Sequence, residues 1–104
     1  MERYSFRMVL DPGQADDYRR RHDELWPELA KTLRSAGVSD YTIWLDPETN
    51  HLFATLLRPT DHGMDGLPED AVVKKWWAFM ADIMQTNPDN SPVMVDLLPM
   101  FEMN

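Results

Sequence analysis

The stretch 40-DYTIWLDPETNHLFATLL-57 holds two apolar segments separated by a group of turn formers. In its first half Tyr41, Ile43 and Leu45 alternate with Thr42, Trp44 and Asp46, the two-residue period of a strand. Its second half, 51-HLFATLL-57, is a further apolar run, and the PETN between them is rich in residues that end strands. The segment is therefore predicted to be a β-hairpin with a loop of about four or five residues. What flanks it decides the architecture.

Upstream, 4-YSFRMVL-10 puts Tyr4, Phe6, Met8 and Leu10 on one side of a first strand and Ser5, Arg7 and Val9 on the other. Asp11-Pro12-Gly13 then supplies an N-cap and a first-turn proline, with Asp16 and Asp17 near the positive end of the helix dipole. Tyr18, His22, Leu25, Trp26, Leu29, Leu33 and Ala36 trace one face of a helix that should end at Gly37. Pro27 is expected to kink it one turn after His22. The opposite side carries Arg19, Arg20, Arg21, Asp23 and Glu24 and reads as solvated, with i,i+4 pairs such as Asp16 with Arg20 and Asp17 with Arg21.

Downstream, 58-RPTDHGMDGLPED-70 has no period and reads as a loop. A second helix is predicted from Pro68 to Met84, with Val72, Val73, Trp76, Met80, Ile83 and Met84 at helical spacing. The stretch 87-NPDNSP-92 stops it, and 93-VMVDLLPMF-101 gives a last strand interrupted by Pro99.

The order β-α-β-β-α-β is the ferredoxin-like α+β arrangement, an antiparallel sheet with its helices on one face. Both faces carry bulk: Val9 opposes Phe6, Met8 and Leu10, Trp44 opposes Tyr41 and Ile43, and Phe53 opposes Leu52. A sheet apolar on both sides needs two covers, and the helices supply one. The second is expected to be another copy of the sheet, making a homodimeric α+β barrel.

Composition agrees with one domain over residues 1–104. A formal charge of −8 disfavours nucleic acid and anionic membrane as partners, because affinity for phosphates comes from neutralising them. The chain has no cysteine, which excludes disulfides, thiolate metal sites and cysteine nucleophiles. Its first residues, MERYSFRMVL, lack the apolar core of a signal peptide, and no run is long enough to span a membrane. A cytoplasmic protein is the expectation.

Chemistry-bearing residues are few. Of the three histidines, His51 begins a hairpin strand and His62 lies in the Pro/Gly loop, whereas His22 belongs to the apolar stripe of a helix. It reads either as a core-edge histidine bonded to a carbonyl or as a proton-transfer group. Tyr18, four residues earlier, lies over the imidazole and offers a second donor and acceptor. Tyr41 reads as a half-buried strand aromatic. On a helical wheel Trp76 is central to its stripe and Trp77 falls about 100° away, at the rim. The pair is either a wide packing stripe or a platform for a ligand such as a sugar ring. No metal-ligand spacing is present, and no carboxylate pair for glycoside hydrolysis is indicated.

The stretches 18-YRRRHDELWPEL-29, 40-DYTIWLD-46, 52-LFAT-55, 76-WWAFMADIM-84 and 87-NPDNSP-92 resemble the L-rhamnose mutarotase family, in its order and spacing. The matching stretches do not include 58–69 or 97–104. The resemblance implies a dimeric ferredoxin-like α+β barrel that uses no cofactor or metal and interconverts the α and β anomers of L-rhamnose. It further implies that His22 is the proton donor and that Tyr18, Tyr41, Trp76 and Trp77 bind the sugar. A histidine with a pKa near ~6.5 suits a reaction in which protons move both ways at neutrality. The expectation is that His22 protonates the ring oxygen, while Tyr18 or a polar group of the 87–92 loop handles the anomeric proton. Other readings of the same chain are a mutarotase for a different sugar such as L-fucose, a cofactor-free dimeric α+β-barrel oxygenase, and a non-catalytic ligand-binding module.

Overall fold

The structure, a computed structural model, describes residues 1–103. Its strands are β1 (Glu2–Val9), β2 (Ser39–Asp46), β3 (His51–Arg58) and β4 (Val95–Asp96). Its helices are α1 (Ala15–Asp23), α2 (Pro27–Ser35) and α3 (Ala71–Met80), with a 3₁₀ turn over Met64–Glu69. All strand pairs are antiparallel and run in the order β2-β3-β1-β4, the expected ferredoxin-like sheet. The hairpin forms where the alternation put it, and its loop is closed by Asn50 at φ 62, whose N–H donates to the Asp46 carbonyl at 2.8 Å.

Strand alternation sorts the side chains onto two faces. Phe6, Met8, Leu52, Ala54 and Leu56 are buried on the helix-covered face, with Tyr4, Ile43 and Leu45 packed against them. Leu29 of α2 and Val73, Trp76 and Met80 of α3 close this core from above. The other face is mixed rather than uniformly apolar. Ser5 donates to the Thr55 hydroxyl at 3.1 Å, and a row formed by Trp44, Phe53, Arg7 and Val95 crosses all four strands through their registered pairs. Trp44 in that row is 66% exposed.

Several element boundaries differ from expectation, each for a local reason. Gly13 takes φ 77, a left-handed conformation that no helix contains, so α1 begins after it, with Gln14 rather than Asp11 at the N-cap position and no side-chain cap bond. The predicted single helix over 11–37 is two helices. A residue before proline avoids the helical region, so Trp26 is extended at ψ 129 and Pro27 opens α2 at its first position, where the missing N–H has no partner to lose. The apolar stripe survives the break, since Tyr18, Leu25, Trp26, Leu29 and Leu33 all reach the core.

The helix expected from Pro68 begins at Ala71, because Asp70 is the better cap. Its carboxylate accepts from the N–H groups of Val72 at 2.8 Å and Val73 at 3.2 Å. It ends at Met80 rather than Met84. Residues 83–85 leave the helix to bond the chain beside β1, through Asp11 N–H to the Ile83 carbonyl and Gln85 N–H to the Val9 carbonyl. The last strand is only Val95–Asp96, extended by one bond from Leu97 N–H to the Ser5 carbonyl. Beyond it Leu98, Met100, Phe101 and Met103 are each at least 80% exposed.

Candidate active site

Between the sheet and the helices lies a cavity of about 1170 Å³, lined by Tyr18 and His22 of α1, Tyr41 of β2, and Trp76 and Trp77 of α3, among others. Each was singled out in sequence, and the fold brings them to one place. The cavity is somewhat larger than the roughly 300–1,000 Å³ of small-molecule sites. Trp76 is buried at its back and Trp77 half-buried nearer the rim, as the wheel required.

His22 sits in the last turn of α1, three residues before the extended Leu25–Trp26 segment. Its Nδ1 lies 2.9 Å from the Tyr18 carbonyl. A carbonyl only accepts, so Nδ1 carries the proton and Nε2 holds the free lone pair. The ring stacks on Tyr18 at 4.3 Å and 28°, and stands edge-on to Trp76 at 5.3 Å and 89°. Two aromatic contacts and one hydrogen bond thus fix a titratable ring at the wall of the cavity. Burial pushes the His22 pKa below its ordinary value, and the Tyr18 carbonyl and Asp23 oppose this without cancelling it. The resting imidazole at neutral pH is therefore uncharged.

The two tyrosines are shifted the other way. Burial holds Tyr18 far above the ordinary phenol range, with Tyr41 adding to the effect. Tyr41 keeps 40% of its surface exposed, yet its hydroxyl end is pushed up to about 12, by burial first and then by Tyr4. Both remain neutral donors across the physiological range. Tyr41 is held edge-on to Phe6 at 6.4 Å, just after Asp40, which takes φ 48 where the β2 register shifts.

The tryptophan wall is braced from behind. Trp26 meets Trp76 at 5.1 Å and 87°, and Phe79 contacts both Trp26 at 5.5 Å and Trp76 at 5.7 Å. Among the described residues no group of three or more His, Asp or Glu side chains is arranged to hold a metal ion.

The family profile described as L-rhamnose mutarotase matches residues 3–103. The chain belongs to the L-rhamnose mutarotase family. A family member from Rhizobium johnstonii is 61% identical over 103 residues, covering 99% of this chain and 97% of the relative. The crystal structure of an L-rhamnose mutarotase from Formosa agariphila superposes with a TM-score of 0.92 at 51% identity, covering all of both chains. At the level of fold alone, a dimeric ferredoxin-like protein from an uncultured marine organism matches with a TM-score of 0.55 at 12% identity, over 97% of this chain and 96% of that one. The family match runs unbroken through 58–69 and on to residue 103, so it is wider than the stretches that first carried the resemblance.

Around the family-type site the structure adds residues that the sequence reading did not single out. Asp16, Arg19, Arg58 and Asp65 also line the cavity, as does Asn90 of the 87–92 loop that the sequence had already offered. Asn90 stands at φ 69 in a turn tied by Ser91 N–H to the Asp89 carboxylate at 3.0 Å, so the 87–92 loop does bring a polar side chain to the cavity. Arg58 stacks on Tyr4 at 4.1 Å and binds Glu2 at 2.8 Å, while Tyr4 donates to Asp96 at 2.6 Å. The expected helix pairs also differ. Arg20 pairs with Asp17 at i,i+3, and Arg21 pairs instead with Asp82 at 2.8 Å, just beyond α3. Arg21 is not on a solvated face.

Proposed function

We propose that this chain is an L-rhamnose mutarotase, with His22 as its proton-transfer group and Tyr18, Tyr41, Trp76 and Trp77 as its sugar-binding residues. The observation that carries the reading is a neutral imidazole with a free Nε2, stacked on a neutral phenol, at the wall of a cavity backed by an indole. Identity above half of the chain with L-rhamnose mutarotases supports the choice of sugar.

Mutarotation breaks the bond from the anomeric carbon to the ring oxygen and remakes it on the other face of the carbonyl. From the resting state His22 Nε2 takes the proton of the anomeric hydroxyl as a general base. The ring oxygen, leaving as an alkoxide, takes a proton from the Tyr18 hydroxyl. Burial keeps that hydroxyl protonated, so it is a proton source for the alkoxide. The carbonyl turns over by rotation about its bond to the neighbouring carbon. On closure the phenolate recovers its proton, and His22 donates its own to the new anomeric oxygen. The lowered pKa thus makes His22 acceptor on opening and donor on closing, a refinement of the expectation that it begins as the acid. Trp76 and Trp77 offer flat apolar faces to the C–H side of a pyranose.

The partner proposal is a second copy seated on the helix-free face. Three eight-residue strands at about 3.3 Å per residue and about 4.8 Å apart present roughly 380 Å² of flat face, well under the ~800 Å² that each member of a stable pair buries. The exposed tail with Leu98, Met100, Phe101 and Met103 is apolar enough to supply the rest against the same partner. A cytoplasmic site of action belongs to the same proposal, and no described helix is long and apolar enough to cross a membrane.

The test is magnetisation-transfer NMR on equilibrated L-rhamnose with and without protein. Anomer exchange well above the buffer rate is expected, and exchange at the buffer rate would reduce the chain to a binding module. Running L-fucose in parallel decides the sugar, and oxygen uptake with an aromatic substrate would favour the oxygenase reading.

A further inference from the structure

Arg21 lies next to His22 in sequence and makes more directed contacts than any other charged side chain described. Nη1 donates to the Phe79 carbonyl at 2.8 Å and to Asp82 Oδ1 at 2.8 Å, and Nη2 donates to Asp82 Oδ2 at 3.2 Å. The guanidinium carbon stands 4.5 Å from the centre of the Phe79 ring, which leans on Trp76 and Trp26. An exposed ion pair holds little, but the Arg21 side chain is only 12% exposed and uses the two-pronged geometry that gives arginine its directional grip. The pairing also holds the Asp82 carboxyl below its ordinary range, chiefly through the bond to Arg21.

The helix that carries His22 needs such a fastening. α1 has nine residues, below the ~12–15 at which an isolated helix becomes even marginal, and Tyr18 is its only fully buried side chain. The Trp26-Pro27 break cuts it from α2, so α2 cannot hold its last turn in line. The Phe79 carbonyl belongs to the last turn of α3, the helix that carries Trp76, and Asp82 to the turn that follows it.

We propose that Arg21 is a positioning residue that fastens the His22 turn of α1 to the C-terminal end of α3, setting the imidazole at its distance from the Trp76 wall where the sugar lies. The proposal rests on the mutarotase reading for its catalytic consequence. It predicts that loosening this clasp separates proton transfer from sugar binding. It also predicts that water reaches the His22 ring, whose other titratable neighbours, Tyr18 and Asp23, stay in place.

Two variants test it. Arg21→Lys keeps the charge and loses the fork. Asp82→Asn removes the partner charge at a side chain that is 66% exposed, so the fold should tolerate it. Both are expected to lower kcat for anomer exchange by about ten- to hundredfold, the range for a small misplacement of a reacting group, with KM for the sugar within about twofold. In both, the His22 imidazole titration followed by NMR should rise toward the ordinary ~6.5. The direction discriminates in Asp82→Asn, because loss of a nearby negative charge without movement would lower it. Arg20→Met, which cuts only the exposed pair with Asp17, should change neither kcat nor the titration. A midpoint that stays or falls in Asp82→Asn, or a kcat that stays at its parent value while the variants merely melt earlier, would overturn the assignment. The titration needs no substrate, so it judges the clasp even if the wild-type chain fails to exchange L-rhamnose anomers.

Discussion

Neighbouring residues on β1 and β3 live in opposite environments. Phe6, Met8, Leu52 and Leu56 lie under the helices, where their packing leaves a cavity walled by His22 and Trp76. Arg7 and Phe53, one step along the same strands, lie in a row with Trp44 and Val95 on the sheet face away from the described helices. The first face is completed by its own chain and contains aromatic groups fixed by mutual contact. The second is incomplete, with Trp44 66% exposed at the edge of the row. Chemistry is proposed on the closed face because rigid surroundings hold a titratable group in position. Association is proposed on the open one because unpaired apolar surface favours cover.

The assignment of chemistry to the closed face is tested most severely by His22→Ala, which should remove about 10²- to 10⁴-fold of the acceleration of anomer exchange. A variant that kept full acceleration would move the proton transfer elsewhere. In the parent protein the sign of the pH dependence carries the same information. His22 is neutral above its lowered pKa, so the enzymatic rate, corrected for buffer, should hold through neutrality and fall as the solution is acidified through that pKa. A rate that climbed on acidification would make His22 the initial acid.

On the open face Trp44→Glu should weaken self-association by about 30-fold, the equivalent of roughly 2 kcal/mol for a central aromatic contact, when measured by sedimentation. A chain that sediments as a monomer before the substitution would instead leave that face without a partner. Back on the closed face, Trp76→Ala should raise the half-saturating sugar concentration by roughly five- to thirtyfold, from ~1–2 kcal/mol of lost ring contact, and an unchanged saturation curve would reduce the indole to core packing. The smallest effect is expected from Asp70→Ala, which uncaps α3 beneath the same wall. It should cost about 1 kcal/mol and lower Tm by about 4–8 °C, and a smaller change would mean that packing rather than capping holds the helix.

Much of this was legible in the residues themselves. Period-two alternation in 4–10 and 40–57 set the strands and their faces, because side-chain direction in a strand depends on local geometry alone. Helical spacing likewise placed Tyr18 over His22 and Trp76 inward of Trp77, and all of them meet at the cavity. Boundaries were harder to read where two local rules competed. Pro27 could kink a helix or open a new one, and the extended conformation imposed on Trp26 chose the second. Residues 81–84 kept helical spacing yet left the helix, since the chain beside β1 offered partners at Val9 and Asp11 that lie some 75 residues away in sequence.

By itself, then, the chain of 104 residues determined its strands, its apolar stripes and the few groups able to move a proton, all of them consequences of side-chain size, branching and period. Only the tertiary structure decided that Nδ1 of His22 is occupied by a carbonyl, that its ring is desolvated between Tyr18 and Trp76, and that Arg21 faces Asp82 rather than water. Those properties depend on distances between elements remote in sequence. No local pattern encodes such a distance, because it emerges from how α1, α3 and the sheet pack together.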